Sequence, residues 1–109
     1  MLGNPETPRT PLPEIENFTL WCADQSHEFN GDIFLKMSKK AARIAQSGKT
    51  EGIISRKVNE DVFKSFCAAC ELKAFTVNSK NAYDLKVLAE EWEVSSLEKY
   101  INNYIKEKN

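Results

Sequence analysis

The feature that most constrains this chain is a pair of apolar stripes at helical spacing in residues 75–105. In the first stripe, Leu85, Leu88, Ala89 and Trp92 recur at i, i+3, i+4 and i+7, which is the spacing of one face of an α-helix. The second stripe comprises Leu97, Tyr100, Ile101, Tyr104 and Ile105. Each predicted helix has one face to bury, and the surface that covers these faces must come from the preceding chain.

A local signal marks the break between these two helices. Ser95 is followed three residues later by Glu98, and this spacing allows a hydroxyl and a carboxylate to cap a helix reciprocally. The pattern therefore predicts that Ser95 caps the second helix. A short extended stretch at residues 75–77 precedes the first one.

The earlier residues predict a hairpin and then a long helix. Residues 18–29 contain two runs of strand formers around a four-residue turn, which is typical of a β-hairpin. Asp32 is a suitable cap for a helix that we expect to run as one piece to about Gln46, with Gly48 just beyond its end.

The middle of the chain predicts a third strand and a third helix. Residues 53–58 are interpreted as a short edge strand, and Asn59 is expected to cap a helix with two acidic residues in its first turn. The predicted order is two strands, a helix, a strand, a helix and two final helices. We therefore expect an α+β fold in which a small three-stranded sheet is covered by a cluster of about four to five helices.

Proline placement suggests the domain organisation. All four prolines lie in residues 1–14, where they disfavour a helix and predict an extended arm that is either a solvated leader or a docking peptide. Residues 15–109 are expected to form one domain, because a chain of 109 residues has room for a single core.

Composition excludes several classes of protein. The net charge is −1 and the hydrophobic content is 41%, as in an ordinary globular domain rather than a disordered or strongly basic one. No apolar run approaches the ~20 residues that span a bilayer. Three cysteines, without the pattern of an export signal, predict a reducing compartment, so we expect a cytoplasmic or nuclear protein without membrane partners.

The sequence contains few candidate catalytic residues. Cys67 and Cys70 have the spacing of some redox and zinc sites, but on a helix they fall on the same side as apolar residues and are expected to be core. A small thiol or metal protein using Cys22, Cys67 and Cys70 stays open as an alternative, with His27 as the one histidine available. We expect no enzyme activity, no catalytic residue, no cofactor and no bound metal.

Charge is unevenly distributed along the chain. Residues 36–57 contain seven basic residues against the single acid Glu51. Lys36, Lys40 and Arg43 fall at i, i+4 and i+7, which would place them on one face of the predicted helix. This face is either simply solvated or binds an acidic protein partner. Nucleic-acid binding by this segment is the weaker alternative, because no aromatic residues are interleaved with the basic ones.

A resemblance to a known family rests on several motifs in order. They are the hairpin at residues 18–29, Phe34 with Ser38, Val62-Phe63 with Phe66, and the helical pair marked by Asn81, Leu85, Leu88, Ala89, Leu97 and Tyr104. Together they resemble the BTB/POZ fold, whose superfamily includes elongin C and the Skp-type linkers of cullin ubiquitin ligases. Asn30, Ala41 and residues 71–73 depart from the family pattern, so the chain resembles a divergent member.

The resemblance implies a non-enzymatic adaptor that recruits other proteins. Its partner would be a cullin-type scaffold or a short helical box motif. Tyr83, Trp92 and Tyr104 on the last two helices are candidate aromatic anchors, although Trp92 and Trp21 are most simply interpreted as core. Dimeric members have an additional helix before the first strand, where this chain has its arm. Like charges on the first helix would also repel across a two-fold axis, so we expect a monomer or a weak homodimer.

Overall fold

The computed structural model describes residues 13–108, and within them a three-stranded mixed sheet forms the base of the fold. The strands are β1 (Asn17–Cys22), β2 (Gln25–Asn30) and β3 (Glu51–Ile53), in the spatial order β2-β1-β3. β1 pairs antiparallel with β2 and parallel with β3. The third strand lies at an edge as predicted, but the predicted bounds 53–58 are wrong, since the strand ends at Ile53. The predicted arm lies outside the described residues except for its last two positions.

Five helices cover this sheet in the described part of the chain, which confirms the α+β class. They are α1 (Gly31–Met37), α2 (Lys39–Gln46), α3 (Glu60–Cys70), α4 (Ala82–Glu91) and α5 (Ser95–Lys108). Asn59 caps α3 as predicted, because its side-chain oxygen accepts a hydrogen bond of 2.9 Å from the Val62 N–H.

Alternation along β1 places the apolar side chains on one face of the sheet. Phe18, Leu20 and Cys22 are fully buried beneath the helices, while Asn17 and Trp21 are exposed on the other face. The turn to β2 is shorter than predicted and has Ala23 at a φ of 56°. The hairpin therefore has one covered and one open face.

The prediction of one helix from Asp32 to Gln46 is wrong, because the chain breaks at Ser38. The backbone of Ser38 is extended, and its hydroxyl accepts a hydrogen bond of 3.0 Å from the Ala41 N–H, which caps α2. The same hydroxyl donates a bond of 2.6 Å to the Trp92 carbonyl. This contact with a residue far along the chain stabilises the break.

The predicted capping box at Ser95 is also wrong. The carbonyl of Val94 accepts the hydrogen bond from the Glu98 N–H at 3.0 Å, so Val94 holds the cap position and Ser95 lies inside the first turn. At the start of α4, the buried Asn81 instead ties the helix to the preceding link. Its side chain donates to the Thr76 carbonyl at 2.8 Å and accepts from the Asn78 N–H at 2.8 Å.

The core lies between the sheet and the helices, and aromatic rings occupy its centre. Phe29 and Phe34 stack with ring centres 4.0 Å apart, and the rings of Trp92 and Phe18 meet edge to face with centres 6.4 Å apart. At the rim of the Trp92 ring, β3 has Gly52, where a Cβ atom would lie 2.3 Å from the ring atom Cη2. Only glycine allows this close approach of strand and indole.

Candidate interaction surfaces

The three basic residues expected on one helical face do not share it, because the break at Ser38 places Lys36 on α1 and the other two on α2. Two of them already have acidic partners. Lys36 lies 3.6 Å from Asp32, and Arg43 donates two hydrogen bonds to the Glu93 carboxylate, one of them 2.7 Å long. The prediction of a single open cationic face is therefore wrong.

The arginine pair affects the ionisation of both groups. Hydrogen bonding and charge attraction from Glu93 raise the pKa of Arg43, and the same hydrogen bond lowers the pKa of Glu93. Both groups are exposed, so water screens their attraction. The pair joins α2 to the end of α4, so Arg43 has a structural role.

Lys40 and Trp92, which were both predicted to bind a partner, contact each other. The Lys40 ammonium lies 4.7 Å from the centre of the Trp92 ring, within the range of a cation–π interaction. Trp92 is completely buried. Its expected role as an exposed aromatic anchor is therefore wrong, and the core interpretation is confirmed.

The two tyrosine candidates lie on different helices with different exposure. Tyr83 is 68% exposed near the start of α4. Tyr104 is half-buried in the second half of α5 and packs against the core. The structure does not bring these residues together with the basic candidates at one site.

An apolar groove that the sequence did not predict lies between the end of α3 and α5. It has a volume of about 310 Å³ and is lined by Met37, Leu72, Phe75, Leu97 and Tyr100, among others. Leu72 is 73% exposed, and the ring centres of Phe75 and Tyr100 are 5.3 Å apart. Exposed apolar side chains around a groove are typical of interaction sites.

The backbone at Leu72 explains why a leucine projects there. Leu72 follows the end of α3 with a φ of 62°, a left-handed conformation that usually belongs to glycine at a helix end. The Leu72 N–H donates to the Ala69 carbonyl and the Lys73 N–H donates to the Ala68 carbonyl. Both hydrogen bonds of the helix-ending motif form without glycine. The presence of leucine at a positive φ therefore strains the backbone. Only the departure of residues 71–73 from the family pattern indicated this position.

The three cysteines are buried, unbonded thiols. Burial raises the pKa of the Cys67 thiol well above its ordinary value, and the charge of Glu71 adds to this. Burial likewise raises the pKa of the Cys70 thiol, with smaller contributions from the charges of Cys67 and Glu71. Such thiols are protonated at neutral pH and therefore weak nucleophiles.

A second groove of about 350 Å³ between β2 and α3 contains the one histidine. His27 is half-buried in the hairpin as expected, and its Nε2 lies 3.0 Å from the Glu71 carboxylate. Cys67 lines the same groove in protonated form. In residues 13–108, no group of three or more histidine, cysteine or acidic side chains is arranged to hold a metal ion.

The open face of the sheet carries two further exposed apolar residues. Trp21 is 40% exposed, contrary to the expectation that it belongs to the core, and Ile53 is 71% exposed beside it in the register of β1 and β3. The Trp21 indole donates a hydrogen bond of 2.9 Å to Glu51. Arg56 and Lys57 follow in the adjoining groove of about 560 Å³.

Between Pro13 and Lys108, no helix combines the length and the apolar character that crossing a membrane requires. Comparison with known proteins brought no relative, since no protein-family model and no curated protein matches the chain.

Proposed function

We propose that this chain is a non-enzymatic protein–protein interaction module of the BTB/POZ type, which acts as an adaptor. The observation that carries the proposal is the apolar groove around Leu72 and Tyr100. An exposed leucine held in a left-handed backbone conformation lowers stability. Binding of a partner to this side chain would explain why a leucine occupies the position. The partner class follows from the groove's shape and chemistry.

Membership of the BTB/POZ superfamily is supported by the places of the resembling residues. Phe34 and Ser38 are fully buried, and Asn81 is nearly so. Each of them has a structural task, since Phe34 stacks on Phe29, Ser38 holds the α1–α2 break, and Asn81 secures the start of α4. These are contacts that a shared fold would need, so they favour the resemblance.

The groove favours a helical segment of a partner as its occupant. Two helical elements, α3 and α5, form its sides, and a partner helix would place successive apolar side chains against them. Lys73 at the rim is 71% exposed along its side chain and lies 3.5 Å from the Glu71 carboxylate, so the groove carries no unpaired cation among its described lining residues, and apolar contact is what would hold the helix. A short helical box motif of a cullin-type assembly is the occupant that the BTB/POZ resemblance implies, and the corresponding location is the cytoplasm or nucleus.

The alternative functions have less support. A thiol enzyme needs a thiolate, whereas burial raises the pKa of Cys67. Slow labelling of native Cys67 by a thiol reagent would rule that alternative out, and rapid labelling would revive it. Nucleic-acid binding by residues 36–57 needs many open cations together, whereas two of the seven basic residues, Lys36 and Arg43, already face carboxylates. A mobility shift with an oligonucleotide at low salt would revive this second alternative.

The proposed function can be tested by quantitative affinity capture from cell extract with wild-type chain and two variants. Leu72→Gly removes the exposed side chain and suits the local φ, while Tyr83→Ala removes an exposed aromatic away from the groove. We expect Leu72→Gly to reduce the capture of specific partners by about tenfold, the size expected for a binding hot spot.

Tyr83→Ala is the matched control and should leave the same partners bound. Equal capture by wild type and Leu72→Gly would contradict the assignment of the groove. Loss of capture only in Tyr83→Ala would move the interaction surface to α4.

A further inference from the structure

The free edge of the sheet at β3 presents backbone groups without a strand partner. Thr19 donates to the Thr50 carbonyl at 3.0 Å, and Ile54 donates to the Trp21 carbonyl at 2.8 Å. In a parallel ladder only alternate residues face the neighbouring strand. The N–H and C=O groups of Glu51 and Ile53 therefore point away from β1, and β3 has no other strand beside it in the described part of the chain.

Two apolar side chains, Ile53 and Trp21, lie next to this edge together with the acidic Glu51. Ile53 is mostly exposed, and the Trp21 ring beside it is anchored by its hydrogen bond to Glu51. A long exposed apolar edge is usually avoided in natural proteins because it invites pairing with another chain. β3 is short, so it would accept only a short segment.

Two unpaired cations adjoin the same edge. Arg56 and Lys57 line the groove with Trp21 and Ile53, and neither forms an ion pair with an acidic side chain in residues 13–108. The Nη1 atom of Arg56 is buried and has no hydrogen-bond partner there. A buried guanidinium nitrogen without an acceptor is costly, so a carboxylate close to Arg56 would be favourable.

We propose that the β3 edge binds an extended acidic segment of a partner protein, which adds to the sheet as a fourth strand. Glu51 and Ile53 supply the backbone hydrogen bonds, Trp21 and Ile53 contact alternate apolar side chains, and a carboxylate of the segment reaches Arg56. The segment is acidic because two unpaired cations lie beside this edge, whereas Lys36 and Arg43 are already paired. This inference rests on the proposed function and adds a second partner class at a second surface.

Strand addition differs physically from binding in the Leu72 groove. Main-chain hydrogen bonds provide affinity at a sheet edge, and side-chain pockets provide specificity. The groove instead takes a helix, whose main chain bonds to itself. The two surfaces can therefore be tested independently.

The test uses a short capped peptide that alternates glutamate and valine, with a lysine–valine peptide as its control. Amide resonances of the full chain are followed during titration at low salt. We expect shifts centred on Glu51 and Ile53 with the acidic peptide, and no saturable shifts with the basic one. Replacing both Arg56 and Lys57 by glutamine should weaken binding about tenfold.

A proline variant separates strand addition from simple charge attraction. Ile53→Pro removes an N–H that faces away from β1, so it loses no bond of the existing ladder. Ile53→Val keeps this N–H and serves as the matched control. We expect the acidic peptide to bind Ile53→Val and not Ile53→Pro, with folding checked by the near-ultraviolet signal of the buried Trp92.

Several results would overturn this inference. They are equal binding of both peptides, unshifted amides at Glu51 and Ile53, or full affinity in the variant lacking Arg56 and Lys57. Because Leu72→Gly should bind the acidic peptide normally, a negative peptide result beside a positive capture result would remove the strand site and leave the proposed function standing. If Ile53→Pro does not fold, the variant with glutamine in place of Arg56 and Lys57 and the amide shifts of the wild-type chain still test the inference.

Discussion

At the scale of single residues, Trp92 organises the contacts around it. Its carbonyl accepts from Ser38, its ring is covered by Lys40, and it meets the Phe18 ring in a T-shaped contact. Gly52 passes directly beside the rim of the ring. A tryptophan with this environment determines where the strand, the α1–α2 break and the end of α4 meet.

The first prediction concerns Gly52. Gly52→Ala would place a methyl group 2.3 Å from the Trp92 ring, so strand and ring must move apart. We expect the free energy of unfolding to fall by about 1–3 kcal/mol, as in other overpacked cores. Chemical denaturation measures this loss, and Trp92 fluorescence in the native state should change with it.

Gly48→Ala is a useful comparison for this variant. A Cβ at Gly48 meets nothing within 4 Å, but its φ of 97° strains any other residue. This variant should lose stability without changing Trp92 fluorescence. A native Trp92 signal that is unaltered in Gly52→Ala would contradict the close packing.

At the scale of elements, three helices end in the same hydrogen-bonding motif with three different residues in the left-handed position. Gly48 follows α2, Leu72 follows α3 and Glu93 follows α4. Glycine is the residue that this position accepts without strain. The leucine faces the apolar groove and the glutamate holds Arg43, so each departure from glycine places a side chain that makes a specific contact.

The second prediction follows from the backbone of Leu72. Leu72→Gly relieves a left-handed strain of about 1–2 kcal/mol. Glycine also gives the unfolded chain more conformational freedom, which offsets part of this gain in the free energy of unfolding. We expect the free energy of unfolding to stay equal or to rise by about 1 kcal/mol at most. Partner capture should fall in the same variant. A loss of stability on denaturation would show that Leu72 packs rather than projects.

The third prediction concerns the pair between Arg43 and Glu93. The hydrogen bond from Arg43 lowers the pKa of Glu93 below its ordinary value of 4.5. The stabilisation is therefore present above that value and is lost as the pH falls through the lowered, folded-state pKa. We expect Glu93→Gln to unfold more easily than wild type at neutral pH, because water weakens the pair without abolishing it.

The pH dependence supplies the control for this prediction. The difference between wild type and Glu93→Gln should shrink as the pH falls below about 4. Denaturation series at several pH values measure the difference directly. A difference that persists unchanged in acid would mean that the charge of Glu93 is not its cause.

At the scale of the whole molecule, charge and apolar surface are both dispersed. The net charge is only −1, and two of the seven cations of the basic segment are paired, Lys36 with Asp32 inside α1 and Arg43 with Glu93 across to the end of α4. The repulsion that favoured a monomer is therefore weaker than the sequence indicated. The exposed large apolar side chains of residues 13–108 are Trp21, Ile53, Leu72, Tyr83 and Tyr100.

The fourth prediction is that the chain is a monomer or a weak homodimer. These apolar residues are divided among the sheet edge, the end of α3, α4 and α5, whereas a stable dimer buries about 800 Å² on each subunit around an apolar centre. Light scattering at micromolar concentration should give the monomer mass. A tight dimer would contradict this, and its loss in Leu72→Gly would place the interface at the groove.

Local patterns in the sequence were sufficient for much of the fold. The alternation at residues 18–22, the cap at Asn59 and the helical stripes of α3, α4 and α5 all depend on neighbours within about one helical turn. The α+β arrangement with an edge strand followed from their order. The candidate site did not follow in the same way, since neither the groove at Leu72 nor the strand edge at Ile53 was predicted.

Only the tertiary structure decided the contacts between distant parts of the chain. The helix breaks at Ser38 because its hydroxyl bonds to the Trp92 carbonyl, and Arg43 loses its open charge because Glu93 lies opposite. Sequence periodicity reports which faces are apolar, but not which residue each face meets. By itself the sequence determined the order of strands and helices, whereas the fold decided where the first helix breaks, which cations stay free and which apolar residues remain exposed.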